Sequence, residues 1–220
     1  MKRGLGRERR RIQRKWVKKN WMWFVLGCAV ALILLIVVLC IVSFIHNHQT
    51  YLVLKRCLSE MEISEDMTEL IVPGNRCNEE DITVLDFSRF TGLKKIVVGD
   101  GCFENVRELK LVGLGELESV VIGRSSFSSS SGVFTLQRCD SLTELTIGHS
   151  SFDSYHGITL DGVPVLETVS VGNKCFVSSS LELKGENGCA VSWQDLPALK
   201  RLSFGSESFR NCNRVVFESS

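Results

Sequence analysis

The residues of this chain with chemistry to offer are nine cysteines, four histidines and one short run, His149, Ser150 and Asp153, that holds a hydroxyl, an imidazole and a carboxylate. Cys28 and Cys40 fall in an uncharged apolar segment, and the other seven cysteines follow it. Outside the cytosol such thiols can pair. Seven is odd, so at least one stays free or pairs between chains. Zinc is disfavoured, because no CxxC pair or closely spaced Cys/His cluster exists to supply tetrahedral ligands. The sequence has neither a GxSxG nucleophile elbow nor a GxxxxGK[ST] phosphate loop, the turns that expose a serine or cradle a phosphate. The expectation is therefore no catalytic residue, no cofactor and no metal, and the question becomes what holds these side chains in place.

The answer is internal repetition. LESVVIGRSSF, LTELTIGHSSF and LETVSVGNKCF stand at 117–127, 142–152 and 166–176. With the leucine of each copy as position zero, Leu93, Leu117, Leu142, Leu166 and Leu199 are spaced by 24, 25, 24 and 33 residues. Positions plus three and plus five are apolar in all five copies, plus six is glycine (Gly99, Gly123, Gly148, Gly172, Gly205), and plus ten is phenylalanine (Phe103, Phe127, Phe152, Phe176, Phe209). Upstream, Leu85 and Phe87, Leu109 and Leu111, Phe134 and Leu136, and Ile158 and Leu160 repeat a second alternation. Period-two spacing suits short strands with one buried face. A fixed period of this length means stacked coils, in which like residues form ladders. The fold class expected is mainly β: a parallel solenoid with two short strands per 24–25-residue coil. The glycine is expected to let the backbone turn sharply or take positive φ at the strand end.

Met67, Leu70 and Val72, with Pro73 in the glycine slot and Cys77 in the phenylalanine slot, read as a degenerate capping copy. Cys102 and Cys175 share a coil position three coils apart, about 14 Å at about 4.8 Å per coil, too far to bridge. The bridges expected are Cys57 to Cys77, closing the stem onto the cap, and Cys189 to Cys212, pinning an insertion (186–195) to the last coil. The serine run at 125–131 lengthens one turn by a residue. The far end, at Val215 and Phe217, is expected to be an uncapped edge that invites pairing with another chain.

The spacing LxxΦxΦG followed by SF or CF resembles the leucine-rich repeat, in the BspA-like surface type found in bacteria and protists. The resemblance covers about residues 67–217, roughly 70% of the chain. It implies a surface protein built on a leucine-rich-repeat solenoid. The asparagine usual at plus eight is replaced by Gly101, Ser125, Ser150, Lys174 and Glu207. Ser126, Ser151, Ser208, Cys102 and Cys175 at plus nine are the candidates to take over part of its backbone hydrogen bonding.

Residues 21–45 carry no charge over 25 positions, longer at about 1.5 Å per residue than the roughly 30 Å hydrocarbon core. The expectation is a transmembrane signal-anchor helix, bordered by tryptophans on one side and by His46, His48 and Tyr51 on the other. Of 26 basic and 25 acidic residues, ten basic and one acidic fall in 1–20, so 16 and 24 remain downstream. Basic flanks stay cytoplasmic, which puts the N-terminus inside and the repeats in an extracellular or luminal space. A basic run beside a spanning helix meets lipid head groups, so nucleic acid is not expected as a partner. The domains are then a basic tail (1–20), the anchor (21–45), a stem and cap (46–66) and the solenoid (67–220).

With no chemistry assigned, the outward strand positions carry the functional reading. Lys95, Ser119, Glu144, Thr168 and Arg201 at plus two, and Asp100, Arg124, His149 and Asn173 beyond the glycine, should form one strip of varied polar groups. Repeat proteins bind partners on such extended faces. The sequence thus reads as a single-pass type II membrane protein whose ectodomain recognises a protein or glycan outside the cytoplasm. The rival is a structural coat that self-associates through its C-terminal edge.

Overall fold

A computed structural model describes residues 28, 30–42, 56–57, 64, 66–177 and 189–218. Contacts divide the chain into two compact units, Met1–His48 and Gln49–Ser220. In the first, residues 30–42 are helical and exposed. Among the described residues no helix is long and apolar enough to cross a membrane. The spanning helix expected over 21–45 is therefore not established, because the described helix has only 13 residues and the rest of that segment, Cys28 apart, lies outside the described residues. The basic tail and most of the stem also lie outside them.

Among the described residues the second unit has twelve strands: β1 (Glu69–Val72), β2 (Val84–Asp86), β3 (Lys95–Val98), β4 (Glu108–Val112), β5 (Ser119–Ile122), β6 (Val133–Gln137), β7 (Glu144–Ile147), β8 (Gly157–Asp161), β9 (Thr168–Val171), β10 (Cys189–Gln194), β11 (Arg201–Phe204) and β12 (Cys212–Glu218). Odd strands form one six-stranded sheet in the order β1-β3-β5-β7-β9-β11 and even strands another, β2-β4-β6-β8-β10-β12. Every pairing is parallel. This is a parallel β-solenoid with two strands per coil. Its register is the one that the leucine count demands: Leu70, Ile96, Val120, Leu145, Val169 and Leu202 lie in one row, and Val72, Val98, Ile122, Ile147, Val171 and Phe204 in the next. In a strand the side-chain period is two, so a slip of one residue would turn both apolar rows to solvent.

The five phenylalanines form one column. Successive ring centroids are 5.1 Å (Phe103–Phe127), 4.7 Å (Phe127–Phe152), 5.2 Å (Phe152–Phe176) and 5.2 Å (Phe176–Phe209) apart, with rings nearly parallel beyond the first pair. Each of these phenylalanines has φ between 55° and 60°. For an L-residue that left-handed conformation costs about 1–2 kcal/mol. Burial of a whole ring and stacking on its neighbours outweigh it.

Two expectations change. The repeat glycines are absent from the left-handed residues. They are needed because coils touch there: a Cβ on Gly123 would lie 2.5 Å from the Gly99 carbonyl carbon, and one on Gly148 would lie 2.5 Å from the Gly123 carbonyl carbon and oxygen. The second change concerns the segment 186–195, expected as a looped insertion. Its residues Cys189–Gln194 are β10, paired with β8 from Ala190 onward and with β12 across a register shift between Cys189 and Ala190. Val191 and Trp193 are its buried alternation, and the extra length falls before it, outside the described residues.

Candidate recognition surface

The plus-nine side chains bind coil to coil. The Ser126 hydroxyl donates to the Gly99 carbonyl (2.9 Å) and accepts from the Cys102 N–H (3.2 Å). Ser151 donates to the Gly123 carbonyl (2.6 Å) and accepts from the Ser126 N–H (3.1 Å). Ser208 donates to the Gly172 carbonyl and accepts from the Cys175 N–H. Cys102 and Cys175 supply the donor only, their thiols reaching the Pro73 and Gly148 carbonyls at 3.1 and 3.2 Å. Sulfur is a weak acceptor, and correspondingly the Ser151 N–H turns to its own coil's Gly148 carbonyl at 3.4 Å. Ser126 and Ser151 are fully buried. These hydroxyls are structural.

The Cys57 and Cys77 sulfurs are joined in a disulfide, Cα atoms 4.8 Å apart, and so are those of Cys189 and Cys212, which face each other across β10 and β12. Cys102, Cys139 and Cys175 are free and buried. Burial pushes the Cys139 and Cys175 thiols up to about 11 and raises that of Cys102. A thiol held neutral in an apolar wall is a poor nucleophile.

Among the described residues no hydrogen bond joins His149, Ser150 and Asp153. The Ser150 N–H donates to the Asn173 carbonyl (2.8 Å), while the Asp153 carbonyl accepts the Val177 N–H (2.7 Å) and its carboxyl, whose pKa burial raises, keeps Oδ1 buried without a hydrogen-bond partner. His149 lends its carbonyl to the Ser125 N–H at 2.9 Å. Neighbours in sequence are thus spent on the turn that links one coil to the next.

Lys95, Ser119, Glu144, Thr168 and Arg201 lie in one row across the odd-strand sheet, each the register partner of the next. Lys95, Glu144 and Arg201 are exposed, and Ser119 and Thr168 are half-buried between them. Alongside runs Ile71, Val97, Val121, Thr146, Ser170 and Ser203, apolar at one end and hydroxyl-bearing at the other. Ser203 donates to the Ser170 hydroxyl across the strands (3.2 Å). Exposed ion pairs flank the face, Lys200 to Glu167 at 2.7 Å and Lys94 to Glu116 at 3.8 Å.

Asp100, Arg124, His149 and Asn173 border this row but do not share one role. The Asp100 carboxylate accepts the Arg124 N–H (2.6 Å), and the Asn173 side-chain oxygen accepts the Ser206 N–H (2.9 Å). Both are fixed by the turn they cap. Arg124 and His149 are exposed, and only their backbones take part in the inter-coil bonds. The face can therefore offer hydrogen bonds and charges of both signs at fixed strand spacing.

Comparison with known proteins gives no match: no family model, no curated protein and no solved structure matches the chain.

Proposed function

We propose that the chain is a recognition or adhesion module of the leucine-rich-repeat surface type, and that the odd-strand face from Lys95 to Arg201 meets its partner. One observation carries the reading. Core rows repeat one kind of side chain from coil to coil, whereas the outward row in the same register reads Lys, Ser, Glu, Thr, Arg. The core rows hold this row at fixed strand spacing, so that it presents charges of both signs and hydroxyls across five coils, and extended solenoid faces suit a protein or glycan that spans several coils. The uncharged stretch 21–45 and the ten basic residues before it support a single-pass type II anchorage, with the repeats extracellular or luminal and no nucleic-acid partner.

The test uses the full chain in lipid nanodiscs, presented to arrays of purified glycans and cell-surface ectodomains, beside a Glu144→Lys, Arg124→Glu double variant. Saturable binding weakened at least about tenfold by the variant is the expected result. Binding that the variant leaves unchanged would place recognition elsewhere. Protease protection on sealed membranes checks the anchorage: digestion from outside should remove the repeats and spare the basic tail.

A further inference from the structure

The even-strand sheet turns outward a face unlike that of the odd strands. On β6, β8 and β10 its outward positions come in pairs two residues apart, a hydroxyl followed by an amide or a carboxylate: Thr135 with Gln137, Thr159 with Asp161, and Ser192 with Gln194. Register sets like beside like. Thr135, Thr159 and Ser192 form one row and Gln137, Asp161 and Gln194 the next. All six are half-buried, so they stand side by side with their polar tips outward. The three strands are interior to the sheet and their backbones are taken up by the parallel ladder. The bonding capacity left on this face therefore belongs to side chains. Gln137 donates to the Asp161 carboxylate at a long 3.4 Å, and among the described residues the hydroxyls of Thr135, Thr159 and Ser192 have no hydrogen-bond partner in the protein. Hydroxyls elsewhere in the fold are engaged: Ser126, Ser151 and Ser208 bind coil to coil, and Ser203 donates to Ser170.

We propose that these six side chains form a second recognition site, for an uncharged glycan laid along the solenoid across β6, β8 and β10. Charge selects the ligand class. Asp161 is the one charged member of the six and none is a cation, so a sulfated or phosphorylated ligand meets no counter-charge among them. Lys110, which precedes Thr135 in the hydroxyl row, is itself engaged with Glu108 at 2.8 Å. None of the six is apolar, so a protein partner would find no apolar centre to bury. A neutral glycan presents hydroxyls on neighbouring carbons, each both donor and acceptor, and the pairs answer them in kind: a carboxamide offers donor and acceptor, a carboxylate accepts twice, and a hydroxyl does either. Strand spacing repeats this pair every 4.8 Å or so, about 9.6 Å over three strands. Threonine is stiff at χ1, so little rotamer freedom is lost when its hydroxyl is used. A flat site of this kind binds weakly, with Kd on the order of 1 mM. It lies on the other sheet from the Lys95–Arg201 row, and stands or falls independently of that row.

The test titrates the full chain in lipid nanodiscs with neutral glucose, mannose and N-acetylglucosamine oligosaccharides, read by saturation-transfer NMR, with a heparin oligosaccharide as the anionic arm. At least one neutral oligosaccharide should bind saturably with Kd on the order of 1 mM or tighter. Thr135→Val with Thr159→Val should weaken that binding at least about tenfold, since two hydrogen bonds are removed, and Glu144→Lys with Arg124→Glu on the odd-strand face should leave it in place. Valine keeps the β-branched shape that strands favour, and an unchanged circular dichroism spectrum verifies the fold of each variant. Absence of saturable binding by every neutral oligosaccharide, equal or tighter binding of heparin, or an affinity indifferent to the loss of both hydroxyls would each overturn the proposal. Binding abolished by the odd-face variant instead would overturn it while supporting recognition on that other face.

Discussion

Phe152 shows what a single residue does in this architecture. Its ring lies 4.7 to 5.2 Å from Phe127, Phe134, Tyr155 and Phe176, so it joins two neighbouring coils, a strand of the opposite sheet and its own turn. Phe152→Ala should cost about 3–5 kcal/mol, the range for deleting a fully buried ring, read as a lowered denaturation midpoint. Its φ of 55° is not visible in the sequence, because phenylalanine ordinarily avoids that region and only the tertiary column makes it favourable. Tyr155 escaped the sequence for a similar reason: its hydroxyl donates to the Val106 carbonyl, 49 residues away, at 2.6 Å, beneath a serine-rich turn whose Gly132 leaves room for the ring. The buried thiols add a pH signature. Folding raises Cys139 and Cys175 to about 11, so their contribution is fully present below the unfolded thiol range, about 8.5, and is lost as pH rises through the folded values. Stability should be level from neutral to about pH 8.5 and then fall, more shallowly in Cys175→Ser. Denaturation midpoints between pH 7 and 11 measure this slope.

At the scale of the coil, most of the architecture was legible. The leucine-based count located β3, β5, β7, β9 and β11 and fixed their register, because a ladder needs the same residue type at the same step. It missed Val191 and Trp193, which sit at minus eight and minus six before Leu199 behind the longest gap and so read as part of an inserted loop. The glycine was noticed, but the positive φ offered for it is not found, and the close approach of a neighbouring coil leaves no trace in the local sequence. The two causes predict different outcomes. Gly148→Ala forces a methyl against the backbone of the coil before it and should cost about 1–3 kcal/mol, as overpacking does. A left-handed glycine would instead tolerate asparagine better than alanine, so Gly148→Asn should be at least as damaging as alanine in urea denaturation.

For the whole molecule, the sequence named the strip on the odd-strand sheet but could not tell caps from free groups. Asp100 and Asn173 look like Arg124 and His149 in a repeat alignment, and only coordinates show that the first two spend their side chains on the next coil's N–H. Likewise Leu202 and Phe204 carry the same pattern as every other coil but are exposed, and their exposure arises from the absence of a neighbour among the described residues. Everything above rests on adjacent coils standing one strand spacing apart with like positions opposed. That is tested most directly by disulfide trapping in the full chain, with bridges located by peptide mass mapping. Ser119→Cys with Glu144→Cys joins register partners on β5 and β7, about 4.8 Å apart and within the reach of a disulfide. Ser119→Cys with Thr168→Cys skips a coil, at about 9.6 Å, beyond it. The account predicts rapid bridging of the first pair and none in the second; failure of the first pair, or equal bridging in both, would contradict it.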